Sequence, residues 1–249
     1  MNYLVGDIGN TFIKISILNN NFVIKKSFNF ETRKIYKKKY FNIFFKKILK
    51  NNLNSKILFS SVVPNVYKKI KIDLKKKNFK VFEMKDLNIK KLIKIKIRNF
   101  NQLGSDRIAN AICCNTNKNS LIIDFGTATT FDIVKNNVYE GGVIAPGINL
   151  SITNLNKFTA CLPLINLKDK QKSYGKNTKE ALNAGILWGY EGLINNIINR
   201  ITIKSKTKYK IILTGGYAKL LKKFIKNKSS IDRNITIKGI AIVFKELLL

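Results

Sequence analysis

Only 14 of the 249 residues are acidic, so the positions of the carboxylates carry information. Three stand beside glycine-punctuated turns: Asp7 in Asp7-Ile8-Gly9-Asn10-Thr11, Asp106 in Gly104-Ser105-Asp106-Arg107, and Asp124 in Asp124-Phe125-Gly126-Thr127-Ala128-Thr129-Thr130. A glycine in such a turn permits positive φ and lets a ligand approach bare backbone. Free N–H groups and the hydroxyls of Thr127 and Thr129 suit a phosphate, and a carboxylate at the strand end suits a cation. Phosphoryl transfer needs these parts: positioning, charge neutralisation, and a group that orients or deprotonates the nucleophile. The chain has no histidine, so any such base is a carboxylate. Lys14 could reach a phosphate as a point charge. Arg107 could take an acidic substrate through a bidentate contact. Each feature also has a plainer reading: an unliganded hairpin, a helix-capping Asp106, or a solvated strand lysine.

The elements that hold these residues repeat. Leu121 to Val134 reads as an apolar strand ending in Asp124, a tight turn, and a second alternating strand. Tyr3 to Leu18 has the same plan around Asp7. Two such hairpins far apart predict a duplicated α/β chain with one phosphate-facing turn from each half and a nucleotide cleft between the halves. The first half is expected to run as three strands, helix (Arg33–Lys50), strand (56–63), helix from Pro64 to Lys77, and strand (Phe79–Phe82). An irregular lysine-rich stretch (84–100) and a helix from Gly104 to about Asn115 would follow. The boundary is placed in polar Asn115–Asn119, giving domains 1–117 and 118–249. The second half should repeat three strands, a helix after Pro146-Gly147, a loop over 160–176 and a long helix Thr178–Ile203. A strand entering Thr214-Gly215-Gly216-Tyr217, another helix and a last helix over Gly239–Leu249 would close the chain. The glycine pair could let adenosine lie against bare backbone. No Walker A sequence is present, which excludes a P-loop enzyme.

Composition narrows the function classes. With 47 basic and 14 acidic residues the formal charge is +33, which points first to nucleic acid or an anionic surface. The cations are nearly all lysine; Arg33, Arg98, Arg107, Arg200 and Arg233 are the only arginines. Lys, Asn, Ile and Phe are also what AT-rich codons supply, and a surface poor in arginine lacks the bidentate reader of bases and phosphates. We therefore expect no nucleic-acid partner. Lacking histidine, the chain cannot form a Ser-His-Asp triad or a His-ligated zinc site. Cys113, Cys114 and Cys161 have no CxxC spacing, so no disulfide framework or zinc ribbon is expected. No run has transmembrane length and strand sequence begins at once, so neither membrane span nor signal peptide is expected, and the expected location is the cytoplasm.

Taken in order, Asp-x-Gly-Asn-Thr, Gly-x-Asp-Arg, Asp-x-Gly-Thr-Ala-Thr-Thr, Gly-Gly-x-Ile-x-Pro-Gly-Ile (Gly141–Ile148) and Thr-Gly-Gly resemble type III pantothenate kinases. The resemblance implies two ribonuclease-H-like domains of the acetate and sugar kinase/Hsc70/actin superfamily around an ATP cleft. It also implies ATP-dependent phosphorylation of pantothenate, the first step towards coenzyme A. By position it implies that Asp7, Ile8, Gly9, Asn10, Thr11, Phe12, Ile13 and Lys14 meet the ATP phosphates, with Asp7 near Mg2+, and that Thr127 binds ATP. Gly104, Ser105, Asp106 and Arg107 would bind pantothenate with Thr178, and Asp106 would accept the proton of its primary hydroxyl. Asp124 would hold a monovalent cation, K+ or NH4+. The family is dimeric, with the substrate pocket near the subunit interface. The chain departs from the family at Ile97-Arg98-Asn99-Phe100, where the usual run is Tyr-x-Asn-Pro. Two alternatives remain at this level: a non-catalytic nucleotide-fold regulator or nucleic-acid binder, and a related kinase for a sugar or other small alcohol.

Overall fold

The computed structural model describes residues 1–49, 53–114, 118–168 and 173–249. The chain divides into two compact units: Met1–Thr116 with Asn137–Glu140 and Asn234–Leu249, and Asn117–Asn136 with Gly141–Arg233. The expected boundary residues 115–117, the helix end at Lys50 and residues 169–172 of the expected loop lie outside the described residues.

The first unit begins β1 (Asn2–Ile8), β2 (Phe12–Leu18), β3 (Ile24–Glu31), α1 (Lys38–Leu49), β4 (Leu53–Ser61), α2 (Pro64–Lys75) and β5 (Lys80–Glu83). Two-residue β6 (Lys94–Ile95) and α3 (Ser105–Cys113) follow. The sheet order is β3-β2-β1-β4-β5, with antiparallel pairing through β1, β2 and β3 and parallel pairing of β4 to β1 and β5 to β4. Consecutive residues are buried in the central strands, Leu4 to Gly6 in β1 and Ile57 to Ser60 in β4, as expected of a sheet covered on both faces. At the edge, β3 keeps its lysines exposed, which discourages pairing with another chain. Helix α2 starts with Pro64, whose missing N–H costs nothing in a first turn. It buries Val66, Ile70 and Leu74, one stripe at helical spacing, and each such side chain contributes about 1.5–3 kcal/mol.

The second unit contains β7 (Ser120–Phe125), β8 (Ala128–Lys135), most of β9 (Val138–Pro146), α4 (Ile148–Lys157), α5 (Thr178–Ser205), β10 (Lys210–Gly215), α6 (Ala218–Leu221) and β11 (Ser229–Ile231). Its strand order is β11-β10-β7-β8-β9. Strand β8 is antiparallel to β7, β10 is parallel to β7, and β11 is parallel to β10. Strand for strand, this repeats the first sheet, so the duplication read from the two hairpins extends to the pairing scheme. The start of β9 counts with the first unit, where Val138 and Tyr139 pair in parallel with Lys94 and Ile95. In α5, Leu187, Tyr190, Ile194, Ile198 and Ile201 form the buried stripe over the sheet.

The last helix, α7 (Ile235–Leu248), groups with the first unit, although it follows the second unit in sequence. It begins one turn before Gly239, the residue expected to start it. Gly239 lies inside the helix because a Cβ there would stand 1.9 Å from the Ala109 carbonyl oxygen of α3. The glycine permits close backbone approach between two helices; it does not break one. The expected Arg33–Lys50 helix is a 3-10 turn (Thr32–Tyr36) followed by α1, separated by extended Lys37. The helix expected after Tyr217 is one turn long. Strand β11, Ser-Ser-Ile, is too short to carry an alternation that sequence could reveal.

Candidate active site

In the first unit, β1 delivers Asp7 to the penultimate position of the strand. Its ladder partners are Lys14 on β2 and Ser60 on β4. The Ser60 hydroxyl, fully buried, donates to Asp7 Oδ1 at 2.9 Å. Lys14 Nζ donates to Asn234 Oδ1 at 2.7 Å, at the residue that caps α7. The turn closes through the Gly9 N–H to the Phe12 carbonyl at 3.0 Å, and Thr32 ties it down with its hydroxyl on the Gly9 carbonyl at 2.7 Å. Asn10, Thr11 and Phe12 are exposed, whereas the side chains of Ile8 and Ile13 are wholly in the core. Those two isoleucines hold the turn from below, and the Ile8 carbonyl accepts the Val62 N–H at 3.1 Å.

Helix α3 carries the second acid. Gly104 caps it without a side chain, and a Cβ on Gly104 would stand 2.4 Å from Asp106 Oδ1. The missing side chain is what makes room for the carboxylate. Asp106 Oδ1 accepts the Arg107 N–H at 2.8 Å. Burial pushes the Asp106 carboxyl above the usual range, opposed by that hydrogen bond and by the Arg107 charge. A raised carboxyl is the direction a general base needs near neutral pH. Ser105 is buried, and its hydroxyl donates to Glu83 Oε1 at 2.6 Å and lies 3.4 Å from the Ser61 carbonyl. Its hydroxyl is thus engaged by the protein, leaving backbone for a substrate. Strand β4 connects the two acids: Ser60 holds Asp7, and Ser61, beside it, contacts the start of α3.

In the second unit three motifs converge on the ends of β7 and β10. Asp124 pairs in register with Thr130 on β8 and Thr214 on β10. Gly215 has φ +85°, and a Cβ there would lie 2.5 Å from the Phe125 carbonyl oxygen and 2.6 Å from Asp124 Oδ1. The Asp124 carboxylate therefore rests on bare backbone. The exposed turn residue Thr127 is backed by Gly147, where a Cβ would meet the Thr127 carbonyl oxygen at 2.1 Å. The Thr129 hydroxyl and the Tyr190 hydroxyl both donate to the Pro146 carbonyl at 3.0 Å, fixing the Pro-Gly turn. Tyr217 bonds to Asn149 at the start of α4, and burial raises its phenol. Thr178 is the first, exposed residue of α5, capped by Asn177, whose Oδ1 accepts the Glu180 N–H at 3.0 Å.

The sequence reading did not find Ser60, Ser61, Glu83, Lys85 or Asn234. Ser-Ser-Val-Val-Pro was a usable signal, being a strand end with paired hydroxyls before a proline-started helix. For Asn234 there was none, because its partner Lys14 is 220 residues away. Among the described residues no three acids or thiols group into a cation cage. A nucleotide-borne Mg2+ does not require one; it takes one or two carboxylates and otherwise phosphate and water oxygens. Asp7 beside the Ser60 hydroxyl fits that demand.

The family model described as "Type III pantothenate kinase" matches residues 3–200. A type III pantothenate kinase of Pelagibacter ubique is 48% identical over 239 residues, covering 95% of this chain and 96% of that protein. Among solved structures, a Baf family transcriptional activator from Campylobacter jejuni aligns with TM-score 0.64 at 23% identity, covering 98% of each chain. A 2-dehydro-3-deoxygalactonokinase from Sinorhizobium meliloti aligns with TM-score 0.61 at 9% identity, also over 98% of each chain. These two likenesses are of fold, and agree with two ribonuclease-H-like sheets. The sequence matches, together with the strand-end acids and their glycine turns, establish that the chain belongs to the type III pantothenate kinase family.

Proposed function

We infer that this chain transfers the γ-phosphoryl group of ATP to the primary hydroxyl of pantothenate, the reaction its family is named for and the entry into coenzyme A synthesis. Asp106 accepts the hydroxyl proton as the oxygen attacks phosphorus, and ADP leaves with the bridging oxygen. The observation that supports this role is the Asp106 carboxyl, raised by burial and set against bare Gly104. Arg107 pairs with the pantothenate carboxylate, and Gly104, Ser105 and Thr178 complete the acceptor contacts. Asp7 to Lys14 serve the phosphates, with Asp7 and its Ser60 partner for Mg2+, which would neutralise phosphate charge when bound. Thr127 contacts ATP, and Asp124 provides the monovalent-cation ligand for K+ or NH4+.

A homodimer fits the apolar surface of the second unit. Phe158 is 74% exposed and Trp188 45%. On α5, Gly185, Gly189 and Gly192 share an exposed face with Trp188, and a Cβ on any of the three would meet nothing within 4 Å. A bare helix face around the exposed Trp188 ring suits close packing against a second copy. Among the described residues no helix is long and apolar enough to cross a membrane, and we propose a cytoplasmic enzyme. We also retain 1–117 and 118–249 as the two duplicated halves of the sequence. The regulator reading rests on the +33 charge and on Ile97 in place of the family's usual tyrosine; the likeness to an activator concerns fold and does not add to it.

The test is coupled ADP release with Mg2+ and K+, with and without pantothenate. Pantothenate-dependent ADP is expected. Its absence from folded protein would overturn the assignment, and faster turnover with a sugar or another small alcohol would move it to a related kinase.

A further inference from the structure

The segment 99–107 holds the proposed acceptor site, and two residues of a neighbouring turn grip it from different sides. That turn is Met84–Asp86, which follows β5. Glu83, its capping residue, accepts the Ser105 hydroxyl at 2.6 Å and the Ser61 N–H at 3.3 Å on Oε1, and the Lys85 N–H at 2.5 Å on Oε2. One carboxylate thus joins the end of β4, its own turn and the first residue of α3. Burial raises its pKa, and the hydrogen bonds from Ser105, Lys85 and Ser61 pull the other way. Two residues on, Lys85 Nζ donates to the carbonyls of Asn101 at 2.8 Å and Leu103 at 3.0 Å. The same ammonium lies 5.5 Å from the centre of the Phe100 ring, within cation–π range. Phe100 stands where the family pattern has proline. A proline would hold that segment by its fixed φ; here a ring and two carbonyls are held by a lysine.

We propose that Glu83 and Lys85 are positioning residues for the acceptor site: Glu83 sets the start of α3, and hence the Asp106 carboxylate, while Lys85 sets the 99–103 segment that leads into it. Neither needs to touch substrate. A general base must lie within hydrogen-bond reach of the proton it takes, so a small displacement of α3 reduces turnover. A displaced 99–103 segment weakens acceptor binding and leaves the nucleotide contacts on the first hairpin alone. The inference rests on reading Gly104–Arg107 as the acceptor segment.

Steady-state kinetics with each substrate varied in turn, together with thermal melts, test it. Lys85→Met is expected to raise the KM for pantothenate about tenfold with the KM for ATP within about twofold, and Lys85→Arg, which still donates to both carbonyls, to recover most of the loss. Glu83→Ala is expected to lower kcat about tenfold or more, with Glu83→Gln, which keeps an acceptor for Ser105, within about threefold of wild type. If Glu83→Ala does not fold, Glu83→Gln and the Lys85 pair still decide the matter. Equal changes in both KM values that track the loss of melting temperature would overturn the proposal, as would wild-type kinetics in Lys85→Met. Asp106→Asn, measured alongside, separates the two readings. If it keeps turnover, the acceptor-site assignment fails. If it loses turnover while the Lys85 and Glu83 variants remain normal, only the positioning proposal fails.

Discussion

The two hairpins share a plan, and the flanking positions show what each is suited to do. In both, an acid stands one residue before the strand end, and the neighbouring parallel strand places a hydroxyl opposite: Ser60 for Asp7, Thr214 for Asp124. The antiparallel neighbours differ. Asp7 faces Lys14, whereas Asp124 faces Thr130. A lysine beside a carboxylate can answer phosphate charge while the acid serves a divalent ion. A carboxylate among threonines and bare Gly215 backbone offers mostly neutral oxygens, the ligand set for a weakly held cation. Duplication supplied two similar strand ends, and a single ladder position separates their electrostatics.

Changes at those positions would break or sharpen this contrast. The largest effect is expected from Lys14→Met, which should lower kcat/KM for ATP by about 10²- to 10³-fold, as loss of one electrostatic contact to the reacting group does. The ratio of rates in potassium and sodium should remain that of wild type. Asp124→Asn should act in the opposite sense: a loss of about tenfold in rate at saturating potassium, with the potassium-over-sodium preference gone. Rates measured in both salts check the pair, and a preserved preference in Asp124→Asn would remove the contrast. Gly215→Ala should cost about 1–2 kcal/mol from its positive φ alone, and more from the Cβ that meets the Phe125 carbonyl and Asp124; chemical denaturation reads the loss. The smallest effect belongs to Ser60→Ala. Removing one hydroxyl from a carboxylate's hydrogen bonds should cost about 1–3 kcal/mol of stability and lower the affinity for Mg2+-ATP by a few-fold, with the monovalent preference unchanged.

The pattern that sequence could reveal is local. Apolar strands ending in Asp-x-Gly, the proline at the start of α2 and the start of α5 at Thr178 are each encoded within a few residues, and each appears where expected. The pairing of β1 with β2 and of β7 with β8 followed from the two hairpins, because turn chemistry and alternation fix the register of neighbours; the parallel strands beside them were not fixed by any local signal. What was not legible depends on partners far apart in the chain. Gly239 read as a helix start, since the Ala109 carbonyl that requires it is not local. Lys85 fell in the irregular lysine-rich stretch and Glu83 just before it, with nothing to distinguish either, because only the folded chain sets one against two carbonyls and the other against Ser105. Ile8 and Ile13 fell within a ligand motif, but both residues are wholly buried in the core, and only the fold shows that they support the turn from beneath.

Asp106 combines the catalytic and stability arguments. Burial raises its carboxyl, so in the folded chain it holds its proton to higher pH than in the unfolded chain. The stability linked to the protonated form is fully present below the unfolded value of about 3.9 and is lost as pH rises through the folded value. Asp106→Asn keeps an oxygen for the Arg107 N–H and removes the buried charge, so it should melt higher than wild type near neutral pH, with the gap closing in acid. The acidic limb of wild-type kcat should lie above the ordinary carboxylate range, because the base works only when ionised.

The most direct measurement is single-turnover phosphoryl transfer by wild type and Asp106→Asn, with ATP binding measured on the same samples. The account predicts ATP affinity within about twofold of wild type and a transfer rate lower by about 10²- to 10⁴-fold, the contribution of a positioned general base. A transfer rate close to wild type in Asp106→Asn would contradict it.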